Sequence, residues 1–344
     1  MSSTSLDRTR MNLTSLYLFH HFQVHTQHTL LLPSPVWATA TKLSFSVPFL
    51  MHAILCISAR HLAYLSTERT AYYANLSSTH LHRTLSRFRS ALPSAGLASK
   101  KEEDIDVFIS TALLLQFELW ADVSYLQHGD GDEGNYSPNK DAIFAYSASL
   151  KNTLLEYFEP SDVQRSSVMT HLANDGTLSD IVPLDPCTTA YVQNLFLQGG
   201  TTTRDLLLPP TLSPEDMSKA KDKGRQGEAV ATLGDVYGPI VSALTPLLVY
   251  LSSSHLPLKN ASMSYTMSTS TKIARHILCF PILCRGAFAG KIAASDPCAL
   301  LILYHFFRAA RILLDGDEFW WAKRRAVAVE RGLGKWFGRE YPEE

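Results

Sequence analysis

The sequence predicts an all-α protein, a large helical domain of packed and mostly antiparallel helices. Apolar residues recur at helical spacing in several long segments. The ends of these segments coincide with residues that start or stop helices, such as a proline or an acidic cap. No stretch shows the alternating pattern of several β-strands, and no βαβ rhythm appears. These three observations favour a helical fold over any class that contains a sheet.

The composition is that of a folded protein with almost no net charge. Of the 344 residues, 46% are hydrophobic, and 31 Lys and Arg nearly balance 32 Asp and Glu, for a net charge of -1. This much apolar material excludes a chain that is disordered throughout, and the charge balance gives no electrostatic footprint for nucleic acid. The five cysteines are too scattered for a disulfide framework, so we predict an intracellular, reducing compartment. They are Cys56, Cys187, Cys279, Cys284 and Cys298.

The first third of the chain contains four predicted helices. Pro48 opens a segment that is apolar around nearly its whole circumference, as is typical of a core helix. The segment after it is amphipathic and is expected to end before Pro93. Glu102, Glu103 and Asp104 precede the fourth segment, where the positive end of a helix dipole favours acids. The predicted helices cover residues 13–32, 48–66, 68–92 and 104–121.

The middle of the chain is expected to hold most of the irregular structure. A shorter helix is predicted over residues 141–158. Ser213 is a hydroxyl cap followed by Pro214 and, three residues after the cap, by Asp216, a pattern that starts a helix. Helical structure is then expected to about Leu251. Loops or linkers are predicted over residues 126–140, 159–212 and 252–272.

Two further helices are predicted near the C-terminus, and they complete one domain. Asp296 caps and Pro297 opens a helix over 297–314, and another helix runs from Phe319 towards Phe337. The core is expected to come from the segments 48–66, 104–121 and 297–314. Residues 1–12 are predicted to be disordered, and 13–344 to form a single helical domain. No apolar run is expected to reach the length of a membrane span.

Two groups of residues resemble metal ligands, and neither completes a site. His21 and His25 have the i, i+4 spacing that places two imidazoles on one helical face beside His20 and His28, but no acid stands between them. Cys279 and Cys284 form one loose pair, where structural zinc needs two close pairs or cysteines with histidines. We therefore predict no metal and no cofactor in this chain.

One motif offers an enzymatic alternative. His171 begins an H-x-x-x-D-G pattern that ends in Asp175 and Gly176 and matches acyltransferases that use the histidine as a general base. Those enzymes resemble longer two-domain α/β proteins with a second motif, D-F-G-W-G, that is absent here. The residues favour a protein that is not an enzyme, with acyl transfer on His171 as the alternative.

Segments from both ends of the chain resemble one protein family. PFLMHAILCISARHLAYL, THLHRTLSRFRSAL and EEDIDVFISTALLLQFELWA are similar to the opening helices of the fungal-specific transcription factor domain of the sterol-uptake-regulator type. The C-terminal segment from FPILC to GKWF, with its DP-x-AL helix and Trp320-Trp321 pair, is similar to the closing helices of that domain. These are core-helix patterns, so they indicate a fold family rather than a chemistry.

The resemblance implies a transcription regulator that acts on RNA polymerase II transcription in the nucleus, with the cytoplasm as the alternative location before activation. Typical members read DNA through a zinc binuclear cluster with six cysteines, spaced C-x2-C-x6-C twice, and this sequence has no such run. Zinc is therefore expected only in a missing N-terminal module. DNA would be read by that module or by a partner transcription factor, and a homodimer is a further possible partner arrangement.

The resemblance also implies a possible hydrophobic ligand, bound in a pocket between helices. The residues chosen as its lining are Met51, Leu55, Leu303, Phe306 and Phe307. The alternative, in which all five side chains are ordinary core packing, stays open at this point.

Overall fold

The computed structural model is all-α across the residues that it describes, which contain no β-strand. These are residues 12–97, 102–124, 136–138, 140–174, 177–180, 182, 192, 196, 229–253, 263–284 and 286–340. The α-helices are α1 (Leu13–Val24), α2 (Ser34–Ser44), α3 (Pro48–Leu65), α4 (Thr70–Leu97), α5 (Glu102–Ala121), α6 (Ile143–Tyr157), α7 (Pro160–Arg165), α8 (Ser167–Asn174), α9 (Ala229–Ser253), α10 (Met263–Leu283), α11 (Gly286–Ala293), α12 (Pro297–Leu313) and α13 (Trp320–Glu340). Three short 3-10 helices cover Thr26–Thr29, Leu178–Asp180 and Asp317–Phe319. The predicted fold class is confirmed.

The chain divides into two compact units. The first unit contains residues 1–118 and 154–174, and the second contains 119–153 and 175–344. A single domain over 13–344 stays a prediction. The predicted disorder of residues 1–12 concerns a segment of which only Asn12 is described.

Several helix starts follow from local sequence. Asp296 accepts a hydrogen bond from the Ala299 backbone N–H at 3.1 Å, and Pro297 occupies the first turn of α12, as predicted. Pro48 likewise stands at the start of α3, where its missing N–H costs no hydrogen bond. Asn12 caps α1 by accepting from the Ser15 N–H at 3.2 Å. The proline and cap signals therefore place these starts correctly.

The core of the first unit is built around α3, which packs against α1 and α4. The residues Leu18, Leu55, Ala59, Leu62, Ala63 and Tyr73 form one buried apolar cluster there. Phe108 of α5 lies 5.5 Å from the ring centre of Phe88 and 5.2 Å from that of Phe158. The fully buried Trp37 donates its indole N–H to the Leu30 carbonyl at 3.0 Å, so the ring is buried without an unpaired donor.

The core of the second unit is aromatic and is centred on Trp120. The ring of Trp120 lies 5.9 Å from both Phe306 and Phe307 and 5.6 Å from Trp321. Phe280 stacks on Phe306 with ring centres 4.1 Å apart. The predicted core contribution of 297–314 is thus observed, because α12 supplies Phe306 and Phe307 to this centre.

Arg325 of α13 is buried in the second unit and fixes the end of α5. Its guanidinium donates to the backbone carbonyls of Leu119 at 2.7 Å, Trp120 at 3.1 Å and Asp122 at 2.6 Å. It also pairs with the carboxylate of Asp141, whose side chain is 1% exposed. The cation therefore satisfies carbonyls that a helix C-terminus leaves without intrahelical partners.

Three sequence-based boundaries are corrected by the structure. The segment 159–212, predicted as irregular, contains α7 and α8, because Glu159, Pro160 and Asp162 form a proline-containing capping arrangement. The segment 252–272, predicted as a linker, contains the first half of α10, whose polar residues continue into an apolar helix. Helix α4 extends past Pro93 to Leu97.

Other differences between the predicted and observed helices lie in the first 50 residues, and some predicted segments fall on residues that the structure does not describe. The single helix predicted over 13–32 is α1 followed by a 3-10 turn, and α2 was not predicted at all. The helix start at Ser213 and most of the loop 126–140 lie outside the described residues.

Helix α3 is long and apolar enough to cross a membrane if only length and composition are considered. Its 18 residues have a mean hydropathy of 1.2. The expectation that no apolar run reaches this length is therefore wrong. Of this helix, 67% is buried within the structure, and a buried core helix is apolar on all sides for that reason. Residues 269–283 and 286–293 pass the same test only as a pair bent by 82°.

Candidate functional site

Helix α3 carries polar side chains on two opposite faces, although it lies in the core. His52, Cys56 and Arg60 are each four residues apart, so they form one stripe. That stripe meets residues of α4 and α5, whereas His61 contacts the turn after α1. Polar groups in a core need hydrogen-bond partners, and most of these side chains have one.

The first contact network joins three helices through one carboxylate. Arg60 donates to Glu118 Oε1 from Nε at 2.9 Å and from Nη2 at 2.5 Å. Ser77 of α4 lies 3.1 Å from the same oxygen and 3.0 Å from the Cys56 carbonyl. The side chain of Glu118 is 2% exposed. A buried ion pair of this kind is costly to break, because either partner alone would be an uncompensated buried charge.

Glu118 retains acceptor capacity in this network. Its Oε2 atom is buried and has no hydrogen-bond partner among the described residues. A carboxylate oxygen in that state can accept a hydrogen bond from a donor that enters the unit.

A pair of histidines extends the same stripe. The Nδ1 atoms of His52 and His80 are 3.1 Å apart, and the ring centres are 5.3 Å apart. One Nδ1 must carry a hydrogen and the other must not, so the contact requires at least one neutral ring. Burial, followed by the charge of His52 and Arg83, lowers the pKa of His80 to about 4. Burial, together with Arg87 and Arg83, also lowers the pKa of His52.

A second histidine cluster lies on the opposite face of α3. The ring of His21 is 5.2 Å from that of His61 and 5.0 Å from that of His25. Thr26 Oγ1 lies 3.0 Å from His61 Nδ1. Burial and the neighbouring imidazoles lower the pKa of His21 to about 4 and that of His61 to about 3. His20 and His28 are exposed, and His20 is close enough to His21 to contribute to the lowering of its pKa.

Two buried thiols of the described residues are not activated. Burial raises the pKa of Cys56, and also that of Cys279 to about 11, so both thiols stay protonated and are poor nucleophiles. No group of three or more His, Cys, Asp or Glu side chains in the described part of the chain could hold a metal ion. The histidine pair His21/His25 is completed by His61 as a ring contact and not as a ligand set.

The five residues chosen as a ligand pocket lie in two different units. Leu55 belongs to the buried apolar cluster of the first unit, and the half-buried Met51 packs against that cluster. Leu303, Phe306 and Phe307 are fully buried in the second unit, where Phe306 and Phe307 pack around Trp120. A pocket lined by all five stays a prediction.

His171, the base of the acyltransferase alternative, is half-buried in the last turn of α8. Asp175 and Gly176, which complete the motif, lie outside the described residues.

The most connected groups of the first unit were missed by sequence reasoning. Glu118, Ser77 and His80 were not singled out, although Glu118 is the one charged residue in the mostly apolar second half of α5. Arg60 gives the same signal in α3. A lone acid and a lone base in two core helices predict a buried pair, because an unpaired buried charge is costly.

The region that contains these clusters is similar in sequence to a known protein family. Residues 16–130 match the family described as "Fungal specific transcription factor domain". These residues are therefore similar to the fungal-specific transcription factor domain. The match runs from α1 through α5 and includes both histidine clusters and the Arg60–Glu118 pair. The resemblance inferred for the opening helices is thus confirmed over these residues, and the similarity of the C-terminal segment to the closing helices stays a prediction.

One curated protein that is similar to this chain is Sterol uptake control protein 2 of Saccharomyces cerevisiae. It is 31% identical over 134 residues, which are 38% of this chain and 13% of the relative. The chain therefore spans a small part of that protein's length.

Proposed function

We propose that this chain is the helical regulatory module of a fungal transcription regulator that controls RNA polymerase II transcription in the nucleus. The observation that carries the proposal is the family match over 16–130, which coincides with the helices packed around α3. The contact networks of that unit support it, because they join helices and present no activated nucleophile. Such a unit suits sensing or assembly better than catalysis.

A fusion experiment tests this function directly. Residues 1–344 are joined to an unrelated DNA-binding domain, and transcription of a reporter that carries its site is measured in a fungal host. We expect reporter activity to differ from that of the DNA-binding domain alone and to return to its level with Leu114→Asp, which charges a side chain that is 1% exposed. Equal activity for the fusion and the bare DNA-binding domain would contradict the proposal.

DNA recognition is proposed to come from a zinc cluster outside this chain or from a partner protein. The net charge of -1 supports this proposal, because a DNA-binding protein needs Lys and Arg side chains to contact the phosphates. In a gel-shift titration at physiological salt, the chain alone should bind duplex DNA weakly and without sequence preference. Nanomolar, sequence-selective binding would overturn this part of the proposal.

Ligand sensing is the finer part of the proposed function. The name of the Saccharomyces relative makes sterols the first class of apolar ligand to test. Within the first unit, Met51 is half-buried and Glu118 Oε2 can accept a hydrogen bond from a ligand hydroxyl. We expect ergosterol to raise the melting temperature of the chain and Met51→Glu to reduce the rise, because a ligand that binds only the folded state stabilises it. No shift at saturating ergosterol would refute sterol sensing and leave the fusion test unaffected.

A further inference from the structure

Helix α4 carries positive charges and no negative charge. It contains Arg83, Arg87 and Arg89, and no Asp or Glu occurs between Thr70 and Leu97. All three arginines are exposed, and none of them pairs with an acid among the residues that the structure describes. This helix therefore presents a surface that is complementary in charge to an anionic group.

Two of the three arginines share one face of α4. Arg83 and Arg87 are four residues apart, so their side chains are neighbours on the helix surface. Arg89 follows Arg87 by two residues and lies on the other side of the helix. Like charges at a spacing of four residues repel each other, and an anion held between Arg83 and Arg87 would remove that repulsion.

The face with Arg83 and Arg87 adjoins α3, which brings no acid to it. Residues Pro48–Leu65 contain no Asp or Glu. Burial, followed by the charges of Arg87 and Arg83, lowers the pKa of the half-buried His52 of α3. Nδ1 of His52 lies 3.1 Å from Nδ1 of His80, which is three residues before Arg83 on α4. Both arginines are thus near the line where the two helices meet, with an imidazole beside them.

We propose that Arg83 and Arg87 form a binding site for a phosphate monoester at the edge of the contact between α3 and α4. A phosphate monoester has a charge of about -1.5 to -2 at neutral pH and three acceptor oxygens, so one group can offset both arginines. Each guanidinium can donate two parallel N–H groups to such oxygens. A carboxylate has a single charge and offsets only one arginine. This inference rests on the charges of α4 and is independent of the proposed regulatory function.

The size of the site favours one phosphate over a nucleic acid. Proteins that bind duplex DNA neutralise a row of backbone phosphates with many Lys and Arg side chains. Only Arg83 and Arg87 share this face of α4, and Arg89 cannot join them because it lies on the other side. The phosphate can be carried by a phosphorylated side chain of a partner protein or by a small molecule, and the chemistry that Arg83 and Arg87 recognise is the same in both.

Fluorescence anisotropy with the full chain tests the site. The probe is a labelled peptide that contains one phosphoserine and no other charged side chain, and its unphosphorylated form serves as the reference. We expect saturable binding of the phosphorylated peptide alone. Replacing both arginines, Arg83→Gln with Arg87→Gln, should weaken this binding by about tenfold or more, because it removes two charge-assisted contacts. Both positions are exposed, so the circular dichroism spectrum and melting temperature should stay close to those of the unmodified chain.

Arg89→Gln is the matched control, since it removes the same charge from the same helix on its other side. It should change the affinity by no more than about twofold. A loss as large as that of the double variant would show general charge attraction and refute the site, and so would the absence of phosphopeptide binding. Tighter binding of a DNA duplex, weakened by the same double substitution, would assign the surface to nucleic acid and also refute the proposal.

Competition with phenyl phosphate distinguishes the two sources of the phosphate. Displacement of the labelled peptide by a similar concentration of phenyl phosphate would support the site and show that the phosphate group alone is recognised, as a small-molecule ligand requires. Displacement only at a much higher concentration would support the site and show that the peptide chain adds contacts. Failure of phenyl phosphate to displace the peptide at any concentration would mean that the phosphate is not what Arg83 and Arg87 bind.

Discussion

Gly332 of α13 lies directly against Tyr136, at a distance that leaves no room for a side chain. A Cβ atom placed on Gly332 would stand 2.1 Å from the Tyr136 Cβ and 3.0 Å from its backbone nitrogen. Both atoms are held by the chain itself and cannot swing away as the end of a long side chain could. Gly332→Ala should therefore lower the free energy of unfolding by about 1–3 kcal/mol, measured by urea denaturation.

Gly338 provides the matched control on the same helix. A Cβ at Gly338 would meet nothing within 4 Å, and the residue is exposed. Gly338→Ala should raise stability by about 0.5–1 kcal/mol, because alanine favours a helix over glycine. Equal effects of the two substitutions would show that Tyr136 does not pack on α13 in solution.

Arg325→Gln should be strongly destabilising. The substitution leaves Asp141 buried without its cation and removes donors to three backbone carbonyls. Removing one partner of a buried ion pair lowers the free energy of unfolding by about 3–5 kcal/mol. Thermal unfolding followed by circular dichroism measures the loss.

Lys323→Gln is the control for that substitution. Lys323 pairs at 2.8 Å with Asp317, whose side chain is 98% exposed. Solvent screens an exposed pair so strongly that it contributes little to stability, and the melting temperature should therefore change little. A loss as large as that of Arg325→Gln would mean that burial does not decide the effect.

The first unit should lose stability as the pH falls from about 6.5 towards 4. Burial lowers the pKa of His21 and His80 to about 4 and that of His61 to about 3, whereas these side chains titrate near 6.5 in the unfolded chain. In this window the unfolded chain binds more protons than the folded one, so stability rises with pH and is lost on acidification. Urea midpoints measured at several pH values test the direction.

His21→Phe should weaken that dependence. His21 Nε2 is buried and has no hydrogen-bond partner in the described part of the chain. A phenyl ring of similar size removes both the unsatisfied nitrogen and one proton-binding site. We expect unchanged or higher stability at pH 7 and a shallower fall at low pH. A steeper fall than in the wild-type chain would contradict the burial of His21.

Asp106→Ala should destabilise the start of α8. The buried carboxylate accepts from Ser166 Oγ at 2.6 Å, from the Ser167 N–H at 2.9 Å and from Ser167 Oγ at 2.5 Å. Its removal leaves these donors without an acceptor, at a cost of about 1–3 kcal/mol. Asp104→Ala changes an exposed acid of α5, the helix that also contains Asp106. It should change the free energy of unfolding by no more than about 0.5 kcal/mol. The two denaturation midpoints compare them.

Much of the helical architecture was predictable from local chemistry. Pro48, Asp296 and Pro297 begin helices where predicted, because a proline or a cap acts on its own first turn. The full length of helix α10 was not predicted. Its polar first half lacks apolar residues at helical spacing, although it is continuous with an apolar second half. The extension of α4 past Pro93 was missed for a related reason, because a proline disfavours a helix without always ending it.

The sequence alone determined the fold class and the resemblance of the opening helices to a known domain, because apolar period, helix caps and core-helix patterns depend on neighbouring residues. Only the tertiary structure decided which polar side chains meet. Arg60 and Glu118 are 58 positions apart, and Arg325 and Asp141 are 184 apart. It also decided that Met51 and Leu55 belong to one unit while Phe306 and Phe307 belong to another. Contacts between residues this far apart depend on how the helices pack. The sequence pattern within one helix does not show which other helix packs against it.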